Sequence, residues 1–169
     1  SELDRQITLQ QDRNTPNFVL ESAQLYGEIT PALLDAADKL LAEIPPRSRE
    51  ASGREVASAA EFAARAQAEI DAYRVLLPDM DARVEIRPDV TGLIVSRGSL
   101  LINEGMSVPT ARIEALLQHE VGTHVLTYHN GRAQPLRLLS SGLAGYDALQ
   151  EGLAVLSEYL VGGLSRPRL

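Results

Sequence analysis

Two of the chain's three histidines, His119 and His124, flank a carboxylate in the run His119-Glu120-Val121-Gly122-Thr123-His124. Neutral imidazole is the commonest protein ligand for zinc. A glutamate beside the first ligand is placed to take a proton from an attacking water. In the usual H-E-x-x-H motif the ligands lie four residues apart, about 40° around an α-helix. Here the interval is five, which a regular α-helix turns into about 140°. Imidazoles splayed that far do not meet one ion. The spacing therefore predicts that the segment Gln118–Val125 is not a regular α-helix but carries a π-bulge, whose wider turn restores one face. Gly122, inside the interval, makes that distortion cheaper.

A catalytic zinc takes three protein ligands and keeps one position open. The chain has no cysteine, so the third ligand is a histidine or a carboxylate. His129, five residues past His124, reads as a solvated residue near a helix end. Glu151, in Gln150-Glu151-Gly152-Leu153-Ala154, is the better candidate. It sits on a segment whose Leu149, Leu153, Leu156 and Leu160 predict a buried apolar side, where a carboxylate needs a partner such as a cation. Asp147 and Glu158 could orient a ligand from behind, although an exposed carboxylate is the more ordinary reading of each. Tyr128, Tyr146 and Tyr159 could donate to an oxyanion, ring packing being the commoner use.

These residues need elements to hold them. Residues 1–16 are polar and read as an arm or irregular lead-in. A short helix is expected over 17–27, with Gly27 as its stop. Thr30 and Pro31 open a helix with the stripe Leu33, Leu34, Ala37, Leu40, Leu41 and Ile44, ended by Pro45-Pro46. A polar loop over 47–53 leads to an Ala-rich helix from about Arg54 to Leu77. The period then changes from about 3.6 to 2. Alternation over 83–87 suggests a strand, and Leu93-Ile94-Val95 and Leu100-Leu101-Ile102 suggest a hairpin turning at Gly98. Ser107 and Pro109 read as the start of the metal-binding helix, with the stripe Ile113, Leu116, Leu117, Val121 and Val125, and Asn130-Gly131 as its end. After a loop with one short turn over 132–145, a last helix is expected from about Tyr146 to Val161, stopped by Gly162-Gly163. A hairpin directly before the metal helix is the order seen in zincin-type peptidases, where an edge strand can pair with substrate backbone. The expected fold is thus α+β, mostly helical and zincin-like, with a small antiparallel sheet packed beside the metal-binding helix.

The 169 residues fit one domain, read as a single catalytic core over 1–169 with a helical part at about 17–77 and a hairpin and metal-site part at about 82–164. The net charge of −7 argues against a nucleic-acid surface. No apolar run is long enough to span a bilayer, so no membrane partner is expected. The polar start and the lack of cysteine fit the cytoplasm.

The run Leu117 to Leu126, then Asn130-Gly131 and Gln150-Glu151-Gly152-Leu153-Ala154, resembles the bacterial flavohaemoglobin expression-modulating QEGLA-motif proteins. That family is similar to the eukaryotic microtubule-associated tyrosine carboxypeptidases, which remove a C-terminal tyrosine from tubulin and share the H-E-x-x-x-H spacing with a later glutamate. The resemblance is specific over about 91–164, and Ser22–Gly27 also looks like the family's upstream segment. It implies that His119, His124 and Glu151 bind Zn2+, that Glu120 is the catalytic base, and that the substrate is a peptide or protein C-terminus. Family chains continue past Gly162-Gly163, which implies that this one is the core of a longer chain. The expected function is a zinc-dependent metallopeptidase, a carboxypeptidase. The family's name records an effect on expression, so a non-catalytic zinc-binding regulatory protein is the second reading. Glu120, which binds no metal in this scheme, favours the enzyme.

Overall fold

The structure, a computed structural model, describes residues 1–44, 55–143 and 145–164. The loop expected over 47–53 and the Pro45-Pro46 stop lie outside the described residues. Contacts gather into two compact units, Ser1–Arg49 and Glu50–Leu169. The Ala-rich helix falls in the second unit, together with the hairpin and the histidine-bearing segment.

The first unit holds α1 (Glu2–Gln11), α2 (Asn17–Tyr26) and α3 (Pro31–Glu43). The expectation of an irregular lead-in is corrected by α1. Its start is a capping box: Ser1 Oγ accepts from Asp4 N at 3.3 Å and donates to Asp4 Oδ2 at 2.7 Å. α2 ends at Gly27 with φ 89°, and α3 starts with Thr30 Oγ1 accepting from Leu33 N, both as the sequence suggests. Leu9 is this unit's buried residue among those described, while Leu33, Leu34, Leu40 and Leu41 of α3 stay exposed.

The second unit begins with β1 (Val56–Ser58) and α4 (Ala59–Arg74). α4 starts later than expected because Ser58 and Glu61 close a second capping box, Glu61 Oε2 accepting from Ser58 N at 2.7 Å. β1 pairs antiparallel with β5 (Ser107–Pro109) in the register Ala57↔Val108. That pairing removes Ser107 and Pro109 from the histidine-bearing helix, whose expected start is thereby corrected. Beside it lies a three-stranded sheet in the order β2 (Val84–Arg87), β4 (Ser99–Asn103), β3 (Leu93–Ser96). β3 and β4 form the expected antiparallel hairpin, but β2 pairs parallel with β4, so this sheet is mixed. Residues 88–92 carry the chain across the end of β4, a reach of two strand spacings, about 10 Å, within five residues.

The core lies between α4, β4 and the helix that carries the histidines. Phe62, Ala66 and Ile70 recur at four-residue intervals, Leu100 and Ile102 alternate, and Ile113, Leu117, Val121 and Val125 continue the stripe; all are buried. Each large side chain so buried contributes about 1.5–3 kcal/mol. The histidine segment runs from a 3-10 turn (Thr110–Arg112) through α5 (Ile113–His119), a π-helical segment (Glu120–Val125) and α6 (Leu126–Arg132). Asn130-Gly131 does not stop it. A Cβ on Gly131 would lie 2.3 Å from the Leu139 carbonyl oxygen, so this glycine permits the approach of α7 (Leu138–Ser141). α8 (Asp147–Leu160) then packs on α5 and the π-helical segment. Its Leu149, Leu153, Leu156 and Leu160 side, expected to be buried, faces out, whereas Ala154 and Glu158 are buried. Among the described residues no helix is long and apolar enough to cross a membrane.

Candidate metal centre

The helix changes its winding where the histidine spacing requires it. α5 ends at His119 and the π-helical turn occupies Glu120–Val125. The carbonyl of Gln118, at the entrance to that turn, accepts from Thr123 Oγ1 at 3.0 Å. Ser157 Oγ of α8 lies 3.0 Å from the same oxygen and 3.2 Å from Thr123 Oγ1. Hydroxyls thus serve a backbone acceptor at the change of register, where regular i to i−4 bonding is interrupted. A Cβ on Gly122 would lie 2.6 Å from Gln118 Oε1, the movable end of a flexible side chain.

The two imidazoles meet edge to face, with ring centroids 5.1 Å apart. Glu151, from the first half of α8, reaches both: Oε2 is 3.8 Å from His119 Nε2 and Oε1 is 3.5 Å from His124 Nε2. One ligand atom from each of His119, His124 and Glu151 lies within 4.8 Å of the others. Glu158 approaches from behind. Its Oε1 lies 2.8 Å from His119 Nδ1, a contact that orients the ring with Nε2 toward Glu151. Arg112 donates to Glu158 Oε2 at 2.8 Å and to the Gly163 carbonyl at 2.6 Å. Glu158 is fully buried, so its reading as an exposed carboxylate is corrected, whereas Asp147 is exposed. Spacing held a signal for this role: residues seven apart share a helix face, so Glu151 and Glu158 point the same way. Arg112 carried no such signal.

Glu120, Glu151 and both imidazoles line one cleft of about 440 Å³, which Tyr128 and Tyr146 also border; Tyr159 is exposed and does not line it. Burial pushes the Glu120 carboxyl above its ordinary range. His119 and His124 pull it back, and Glu151 and Glu158 add to the rise. His129 is no ligand. It is buried rather than solvated, and its Nε2 lies 2.9 Å from the Gly98 carbonyl oxygen, pinning the hairpin turn to α6.

The donors suit a divalent cation that accepts nitrogen and oxygen. Two imidazoles and a carboxylate converge, one imidazole is held from behind by a buried carboxylate, and the cleft leaves a side open. Comparison with curated proteins and with solved structures finds no match. A family model described as microtubule-associated tyrosine carboxypeptidase matches residues 1–169. The match takes in both compact units and every residue of the His-His-Glu cluster, and on that evidence the chain belongs to the microtubule-associated tyrosine carboxypeptidase family.

Proposed function

We propose that this protein is a zinc-dependent metallopeptidase of zincin-like architecture, acting as a carboxypeptidase on peptide or protein C-termini. His119, His124 and Glu151 hold the zinc, and Glu120 is the base. One observation carries the reading: His119, His124 and Glu151 converge closely enough to hold a metal ion, and a further carboxylate, Glu120, lines the same cleft. Membership of a family of tyrosine carboxypeptidases supports a peptidase and suggests tyrosine as the residue released. The chain's lack of cysteine fits the reducing cytoplasm that we take as its setting.

Zinc, when bound, polarises the scissile carbonyl and makes water nucleophilic near neutral pH. The protein's own residues do the rest. Glu158 fixes the ring of His119 and the nitrogen it offers. Glu120 takes a proton from the attacking water and returns it to the amine nitrogen as the C–N bond breaks. β3, at the edge of its sheet and against the cleft, offers backbone groups to an extended peptide.

The test combines metal content with hydrolysis. Wild type and Glu120→Gln should each carry about one zinc per chain, and His119→Ala should carry little. Glu120→Gln should lose about 10²- to 10⁴-fold in hydrolysis of peptides ending in tyrosine. Equal zinc in wild type and His119→Ala ends the metal assignment. Full activity in Glu120→Gln ends the base assignment. Stable zinc with no cleavage of any C-terminal peptide favours the regulatory reading.

A further inference from the structure

The turn joining β3 to β4 is built in an expensive way. Ser96 pairs with Ser99, so Arg97 and Gly98 form a two-residue loop with φ of 50° and 75°. That is the geometry of a type I′ turn, whose first position favours Asn, Asp or Gly. An arginine there is strained, and strain of this kind concentrates at functional sites.

The turn is also clamped. A Cβ on Gly98 would fall 2.2 Å from Tyr128 Cδ1, so the Tyr128 ring lies against the backbone. The Gly98 carbonyl is held by His129 Nε2 at 2.9 Å, and the Arg132 guanidinium lies over the Tyr128 ring, 5.8 Å from its centroid. Tyr128, His129 and Arg132 all belong to α6, which continues directly from the π-helical segment. The backbone of Arg97 is thereby fixed with respect to His124.

Arg97 lines the same cleft as His119, Glu120, His124 and Glu151. Among the described residues it is the only Lys or Arg that does so, and it makes no hydrogen bond or ion pair. An exposed guanidinium without a protein partner, carried on a strained and clamped turn at the rim of a cleft that holds carboxylates, suits an anionic ligand. We infer that Arg97 receives the α-carboxylate of the substrate's C-terminus and so sets the specificity of this cleft for exopeptidase substrates. The inference rests on the peptidase reading above. A guanidinium matches a carboxylate with two parallel hydrogen bonds, which a carboxamide terminus does not reproduce.

Arg97→Asn is the informative variant, because asparagine relieves the turn while removing the guanidinium. Its melting temperature should equal or exceed that of wild type, so lost binding is not lost folding. Binding is read by calorimetry on zinc-loaded protein in a Glu120→Gln background, with matched peptides ending in a carboxylate or a carboxamide. The acid should bind about 10- to 100-fold more tightly with Arg97, and Arg97→Asn should abolish that preference. Arg97→Lys should keep part of it, as a point charge does. In the active background, Arg97→Asn should raise KM for the acid more than it lowers kcat. An unchanged acid preference in Arg97→Asn overturns the inference. So does a preference that follows a penultimate Glu→Gln change in the peptide, which would assign Arg97 to a side-chain acid. Absence of any cleavage by wild type defeats the peptidase reading, while the binding comparison still decides the role of Arg97.

Discussion

The two carboxylates that reach the histidines from α8 stand in opposite surroundings. Glu158 is fully buried, tied to His119 and to Arg112, and Arg112 is tied in turn to the Gly163 carbonyl. Glu151, seven residues earlier on the same face, has a side chain 62% exposed and opens onto the cleft. One wall of the centre is continuous with the core, and the other stands in solvent. The difference separates two surroundings: the buried wall holds a ring, and the open wall carries the carboxylate that, under the proposal above, would complete the ligand set. Glu158→Ala should therefore give the largest effect on stability. It leaves Arg112 and His119 without their shared acceptor, at a cost near the low end of the range for broken buried pairs, about 3 kcal/mol, since Arg112 keeps some solvent. Zinc affinity should fall about 10- to 100-fold as well. Urea unfolding in EDTA and chelator competition read the two effects separately. A Glu158→Ala protein as stable as wild type would show that the buried wall is not structural.

The next effect tests how the end of α8 reaches that wall. A Cβ on Gly163 would lie 2.2 Å from Ala115 Cβ of α5. Gly163→Ala should cost about 1–3 kcal/mol through overpacking. Adding Ala115→Gly removes the clash, so the double variant should recover to within the roughly 1 kcal/mol cost of a helical glycine. Thermal melts of the two singles and the double give the cycle. Additive losses would mean that the two surfaces do not meet as described.

Local signals were legible where they were strong and unopposed. Gly27, Thr30 with Pro31, and the alternating runs about Gly98 each named an element that forms, and the five-residue histidine interval led to the π-helical turn. Signals with two meanings were misread. Ser107 and Pro109 look like a helix start, yet they form a strand because Val56–Ser58, some fifty residues away in sequence, supplies its partner. Gly131 looks like a stop, yet it makes room for the Leu139 carbonyl. The leucines of α8 suggested a buried side, but its inward face is built from Ala154, Ser157 and the two glutamates. Small residues there let α8 come close enough for Ser157 to reach the Gln118 carbonyl. Glu151 was thus found although the helix face was assigned the wrong way round. Glu158 was undervalued because burial of a charge depends on partners, here Arg112 and His119, that lie 46 and 39 residues away.

Glu151→Ala carries the comparison to its smallest effect on stability and its sharpest effect on the metal. The carboxylate stands mostly in water and its nearest partners are imidazole nitrogens at 3.5 and 3.8 Å, beyond hydrogen-bond length. Removing it from metal-free protein should change unfolding by no more than about 0.5 kcal/mol. Zinc should nevertheless weaken by more than the roughly 100-fold upper bound for partners that act only from behind, because a ligand is lost rather than reoriented. EDTA is needed in the stability measurement, since bound metal stabilises any variant according to its affinity and would import the second effect into the first. Glu158→Ala then lowers both quantities and Glu151→Ala only one. A metal-free Glu151→Ala protein that unfolds as readily as Glu158→Ala would erase the distinction between the walls. Unaltered zinc affinity would leave His119 and His124 without their third partner and return the open wall to plain surface.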